Sequence, residues 1–202
     1  MCSQCGVYHV LFRALLRAVL PIILALAVPS RAADINLVGI FGNKATLIVD
    51  GGKPRTLADF KGKLVVMFFG YTQCPDVCPT TLAEMAKVIK ELGPDGDKVQ
   101  VLFVTIDPER DTKDLLKQYV TAFHPGFLGL AGDMEATVRA AKEFKVYVQK
   151  QQPKTPGGSY SVDHSAGTFI LDGQGRLRLF VNHGAPAASL LADIRTLLKQ
   201  AS

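Results

Sequence analysis

Lys63-Leu64-Val65-Val66-Met67-Phe68-Phe69-Gly70-Tyr71-Thr72-Gln73-Cys74-Pro75-Asp76-Val77-Cys78-Pro79 joins two segments of different periodicity. Lys63 to Phe69 is an apolar, β-branched and aromatic run without polar alternation, the pattern of a strand covered on both faces. Thr80 to Leu92 places Leu82, Met85, Ala86, Ile89 and Leu92 on one helical face. Strand-to-helix junctions are where α/β folds present reactive groups, at the carboxyl ends of their strands. This junction carries two thiols separated by three residues, a spacing that allows a disulfide or a pair of soft ligands for one metal ion. Pro79 has no N–H and suits a first helical position. That reading makes Cys78 the cap, leaves Cys74 in the loop, and predicts a lowered thiol pKa at Cys78 from the positive end of the helix dipole. The competing reading is two buried cysteines acting as small hydrophobes.

Outward from the junction, the 202 residues suggest one domain with an extra segment at the amino end. Met1 to Arg17 holds arginines and no acid, Ala18 to Val28 is apolar, and Ser30-Arg31-Ala32 offers small residues at the positions a signal peptidase reads. Residues 1–32 are therefore expected to be a secretory signal, and residues 33–202 the domain. Val10 to Val28, interrupted only by Arg13 and Arg17, keeps an uncleaved membrane anchor open. Either reading exports the domain, in a bacterium to the periplasm. The formal charge of +5 is partly a leader effect, since three arginines and no acids lie before residue 33. No basic stripe with interleaved aromatics argues for nucleic acid. Cys2 and Cys5 fall in the leader, so the exported part holds two cysteines, too few for a disulfide scaffold.

Ala45–Val49 and Arg55–Leu57 flank Asp50-Gly51-Gly52, a hairpin signal. Val99–Ile106 reads as a second buried strand. Asp111 or Thr112 caps a helix with Leu115, Leu116, Tyr119, Val120 and Phe123 on one face. Met134–Phe144 is a third helix, and Gln149–Tyr160 an exposed loop. Gly167–Leu171 and Arg176–Val181 flank Asp172-Gly173-Gln174-Gly175 as an antiparallel hairpin, and Leu190, Leu191, Ile194, Leu197 and Leu198 mark a final helix. Parallel crossovers followed by a terminal hairpin and helix, with thiols after the first central strand, predict an α/β thioredoxin-like fold. It has a central mixed sheet flanked by helices and an amino-terminal hairpin extension.

In that fold the strand beginning at Gly167 lies beside the one that leads to the cysteines, so His164 enters opposite the thiols. Two cysteines and a histidine are a metal-ligand set: thiolates suit Cu(I), added imidazole suits Cu(II), and zinc accepts the same donors. Asp163 is a candidate to orient the imidazole, or to bond its own loop backbone. Asp107 and Asp111 read as strand-end and capping residues. His124 and His183 read as solvated turn residues, and His9 lies in the leader. Ser165-Ala166-Gly167 lacks the proline that thioredoxins place before this strand, and the cysteine spacing is one residue longer than theirs. Thr72 lies two residues before Cys74, which does not give the Thr-x-x-Cys pocket of a peroxiredoxin.

Phe69-Gly70-Tyr71-Thr72-Gln73-Cys74-Pro75-Asp76-Val77-Cys78-Pro79-Thr80-Thr81-Leu82, Asp107-Pro108-Glu109-Arg110-Asp111-Thr112 and Val162-Asp163-His164-Ser165 together resemble the motifs of the Sco/SenC family of copper-binding assembly proteins for cytochrome c oxidase. The resemblance implies a domain that binds Cu(I) or Cu(II) through Cys74, Cys78 and His164. It implies copper delivery to the dinuclear site of oxidase subunit II, with an upstream copper donor or thiol reductant as a further partner. Two alternatives keep the same residues: a thiol–disulfide reductase of the oxidase copper-site cysteines, with Cys74 and Cys78 as its redox pair, and a copper or redox sensor. Gln73 stands where many members have histidine. A membrane tether, common in the family, is the alternative to a cleaved leader.

Overall fold

The computed structural model describes residues 46–50, 53–153 and 155–200, with side chains from Arg55 onward; the leader reading of residues 1–32 lies outside them. Five strands form the main sheet in the order β5-β4-β3-β8-β9. β3 (Leu64–Gly70), β4 (Val99–Thr105) and β5 (Leu128–Leu130) are parallel, and β8 (Gly167–Leu171) and β9 (Leu177–Asn182) extend them antiparallel. β3 lies at the centre, pairing Leu64 to Val99 through Gly70 to Thr105 on one side and Val65 to Leu171 through Phe68 to Thr168 on the other.

All seven residues of β3 are buried, and their alternation divides the interior in two. Val65, Met67 and Phe69 face a core with Phe60, Phe144, Phe169 and Leu171. Leu64, Val66 and Phe68 face a core with Leu82, Met85, Leu116 and Ile194. Three helices cover this second face: α1 (Val77–Leu92), α2 (Lys113–Thr121) and α4 (Ala187–Gln200). α3 (Met134–Glu143) turns Ala140 and Ala141 onto the first face. Cover on both faces is why the strand shows no polar alternation. The arrangement is the expected thioredoxin-like one, and the hairpin extension is β1 (Thr46–Asp50) paired antiparallel with β2 (Lys53–Thr56). Among the described residues no helix is long and apolar enough to cross a membrane.

Several boundaries differ from the sequence reading. Leu57 begins a short 3-10 turn, Leu57–Phe60, rather than ending a strand. α1 begins at Val77, two residues before Pro79, because the first four N–H groups of a helix have no intrahelical partner and a proline among them sacrifices nothing. Thr112, not Asp111, caps α2, accepting from Leu115 N at 3.3 Å. The segment read as a loop from Gln149 supplies β6 (Val148–Gln151), paired antiparallel with β7 (Ser161–His164) in a separate two-stranded sheet. Its residues are mostly exposed, so no apolar alternation marked it. β5 is too short for a periodicity to register.

Candidate metal centre

β3 and β4 end together, with Ile106 N donating to Gly70 O at 2.9 Å, and the cysteine loop leaves from there. Thr72 is held at its start: its N–H and Oγ1 both donate to the Asp111 carboxylate, at 3.1 and 2.6 Å, and Thr105 Oγ1 donates to the same group at 2.6 Å. Burial pushes the Asp111 pKa up, and these hydrogen bonds oppose the shift. Asp111 thus clasps the loop to the end of β4, a role its capping pattern concealed.

Cys74 is half-buried in the loop, and Cys78, 1% exposed, is the second residue of α1. Gly70 makes room for it: a Cβ there would stand 2.6 Å from Cys78 Sγ and 2.8 Å from the Phe103 ring. The two thiols differ in acidity, in the opposite sense to the sequence reading. The Cys78 S–H donates to Cys74, and the backbone N–H groups of Asp76 and Cys78 and the nearby His164 add to it. Together they outweigh burial and lower Cys74 to about 5. Cys78 is pushed up, because it holds the shared proton and is the more deeply buried of the pair. The helix start therefore acts through N–H groups on the loop thiol rather than on the thiol inside the first turn.

His164 ends β7. Its Nδ1 is buried and has no hydrogen-bond partner, a costly state for a polar atom that awaits no ligand. The ring meets Tyr71 edge-on at 6.2 Å, and the Tyr71 hydroxyl accepts from Val162 N at 3.5 Å. Cys78 and His164 border one cavity of about 10 Å³, with Val77, Thr81, Thr168 and His183 also on its wall. Among the described residues no three His, Cys, Asp or Glu side chains stand close enough together to hold an ion. The thiols are paired with each other, and the imidazole stands apart from them.

The remaining candidates separate. Asp163 is exposed and accepts from Gln151 Nε2 at 2.8 Å across the hairpin. Neighbouring strand residues point to opposite faces, so it turns away from the imidazole it was expected to orient. His124 packs on Phe127, with ring centroids 4.9 Å apart, and accepts from Gly126 N at 3.1 Å. His183 is exposed as expected, yet reaches the small cavity through the backbone bond from its N to Ala166 O. Tyr119 carries a buried hydroxyl whose pKa is raised by burial and then by the charges of Cys78 and Cys74. Arg110 and Tyr160, unremarked in the sequence, stack on each other above this region, guanidinium carbon to ring centroid 3.6 Å. Arg110 stood inside the Asp107–Thr112 motif and Tyr160 at the end of the long loop, and no local pattern linked the two.

The family model described as SCO1/SenC matches residues 36–199. The mouse protein "SCO2 homolog, mitochondrial" is 38% identical over 152 residues, which are 74% of this chain and 59% of that protein. The chain thus spans about three fifths of the length of that relative. A Rickettsia felis "SCO2-like protein" is 35% identical over 135 residues, 67% of this chain and 66% of that one. The copper-bound structure of Bradyrhizobium japonicum ScoI superposes with a TM-score of 0.70 at 37% identity, over 78% of this chain and 99% of that one. Apo Sco1 of Thermus thermophilus gives 0.68 at 43% identity, over 75% and 88%.

Proposed function

The chain belongs to the SCO1/SenC family, and from that premise we infer that it binds copper as cargo through Cys74, Cys78 and His164. It delivers the ion to the dinuclear copper site of cytochrome c oxidase subunit II. The observation that carries the reading is the buried, unpartnered Nδ1 of His164 on the wall of the same small cavity as Cys78, the partner of Cys74 in the thiol pair. The donor chemistry fits copper in both states. Two thiolates suffice for Cu(I), and imidazole is the added donor that Cu(II) prefers. Binding displaces the Cys78 proton, so uptake weakens as pH falls. A copper-bound relative of the same fold at 37% identity agrees. We place the domain outside the cytoplasm, in the periplasm. A mature amino terminus near Ala33 is expected from mass analysis of exported protein, and intact Met1 in a membrane fraction would indicate an anchor instead.

The low pKa of Cys74 and its proton-sharing partner also favour a second reading, thiol–disulfide reduction. Cys74 thiolate would attack a partner disulfide and form a mixed disulfide. Cys78, after losing its proton, would then displace the partner thiolate and leave an internal disulfide. One experiment separates the two. The reduced chain carrying Cys2→Ser and Cys5→Ser, loaded with Cu(I), is mixed with a subunit II fragment whose thiols are already reduced. Copper on the fragment, lost with His164→Ala, supports delivery. Reduction of an oxidised fragment by the metal-free chain, indifferent to His164 and with no copper passed to the reduced fragment, supports the reductase and overturns delivery.

A further inference from the structure

His164 is carried by the β6–β7 hairpin, whose strands pair with each other and not with the five-stranded sheet. No ladder fixes the hairpin relative to the thiols, so its seat depends on side chains. Val162 is buried in the first core, and its N–H reaches the Tyr71 hydroxyl. Beside the Lys150–Glu109 pair and a 3.5 Å contact from Ser159 Oγ to Gln73 Oε1, the side-chain bonds that join the hairpin and its entry to the cysteine loop and the turn after β4 centre on Arg110 and Tyr160. Arg110 Nη1 donates to Gln73 Oε1 in the cysteine loop at 3.0 Å, and to Ser159 Oγ and Tyr160 O before β7 at 2.9 and 2.8 Å. Its Nε pairs with the buried Asp107 carboxylate. The guanidinium lies 3.6 Å from the Tyr160 ring centroid and 5.5 Å from that of Tyr71, the ring that meets His164. Tyr160 Oη donates to Asp107 at 2.7 Å, and Lys150 of β6 lies 3.9 Å from the same ring while pairing with Glu109 at 2.6 Å.

We propose that Arg110 is a positioning residue for His164: it latches the β6–β7 hairpin to the cysteine loop and sets how closely the imidazole approaches the thiols. The planar fork suits the task, since one group bonds two loops while stacking on an aromatic. The proposal rests on the copper reading above, so its test needs a readout that does not.

Two variants are made in the full chain with Cys2→Ser and Cys5→Ser. Arg110→Met keeps the stem and loses the fork. Tyr160→Leu removes the stack from the hairpin side; it takes one hydrogen bond from Asp107 but leaves the ion pair with Arg110, so the buried carboxylate is not left unpaired. In the reduced chain, Cu(II) affinity is expected to fall by roughly tenfold or more in both, the range for groups that orient a ligand. Cu(I) affinity, carried by the two thiolates, is expected to stay within about twofold. The double variant is expected to be little worse than either single one, because both break the same latch. Hydrogen exchange on the metal-free chain supplies the independent readout: faster exchange over residues 147–165, with α1 and α4 unchanged. Unchanged Cu(II) affinity in Tyr160→Leu, equal losses for the two copper states, or faster exchange spread through α4 would overturn the latch. If the parent chain binds neither copper state, the copper reading fails. Exchange over residues 147–165 then still decides whether Arg110 holds the hairpin.

Discussion

Replacing Cys78 by alanine tests how the thiol pair is poised. Cys74 is lowered to about 5 from an ordinary value of 9.0, and the Cys78 S–H is the largest cause. If that donor carried the whole shift, its loss would return Cys74 to the ordinary value. At pH 7 the thiolate fraction would fall about 100-fold. A more basic thiolate is also more nucleophilic, by about 40- to 100-fold over such a span. The two effects nearly cancel, and alkylation measured at neutral pH would mislead. At about pH 5.5 they do not cancel: thiolate falls roughly 2,000-fold, and alkylation slows by about 20- to 60-fold. The N–H groups of Asp76 and Cys78 remain in the variant, so this is the upper limit. The assay is the iodoacetamide rate of the metal-free chain between pH 5 and 9, with Cys2→Ser and Cys5→Ser throughout. A pH–rate profile for Cys78→Ala that coincides with the parent's would show that the backbone alone sets the acidity, and would refute the proton-sharing argument.

The same shift has a stability signature. A thiol with a depressed folded pKa contributes stability above its unfolded pKa, and that contribution is lost as pH falls toward the folded one. The metal-free, reduced chain is therefore expected to lose stability from about pH 9 down to about pH 5, and Cys74→Ser to flatten that slope in urea titrations. Gly70→Ala drives a methyl into Cys78 Sγ and the Phe103 ring. An overpacking cost of about 1–3 kcal/mol is expected as a lower urea midpoint, with the m-value unchanged. Asp111→Ala strips the acceptor from Thr72 and Thr105. A loss of about 1–3 kcal/mol and faster exchange at the Thr72 amide are expected, and an unaltered amide would remove Asp111 from the loop clasp.

The sheet was legible because β3 and β4 are covered on both faces, and uninterrupted apolar runs such as Leu64–Phe69 announce that burial. The cysteines were legible because a strand, two thiols and a proline-marked helix start occur within one short stretch. His164 was singled out through topology, and the strand adjacency behind that expectation is present, since β8 lies beside β3. What stayed hidden depends on contacts between distant segments. Asp111 bonds across 39 residues to Thr72, and Arg110 across 50 to Tyr160. A local pattern reports neither, and in Asp111 it offered the competing explanation of a helix cap. The acidity of the two thiols was inverted because helix-start logic ranks them by position, whereas the shared proton and the depth of Cys78 decide which one ionises. The hairpin was missed because polar, exposed strands carry no period-two signal.

The placement of the aromatic residues makes the site observable without a label. The chain has no tryptophan and five tyrosines, so phenol rings dominate its near-ultraviolet emission. Tyr71 meets His164 edge-on, Tyr119 feels the charge of both thiols, and Tyr160 stacks on Arg110. Tyr147 is exposed on the approach to β6, a solvated emitter for reference. A paramagnetic, strongly absorbing ion held by the thiols and the imidazole would darken the enclosed rings far more than the exposed one. Should Cu(II) be held there, the unmodified protein would carry its own optical gauge of occupancy.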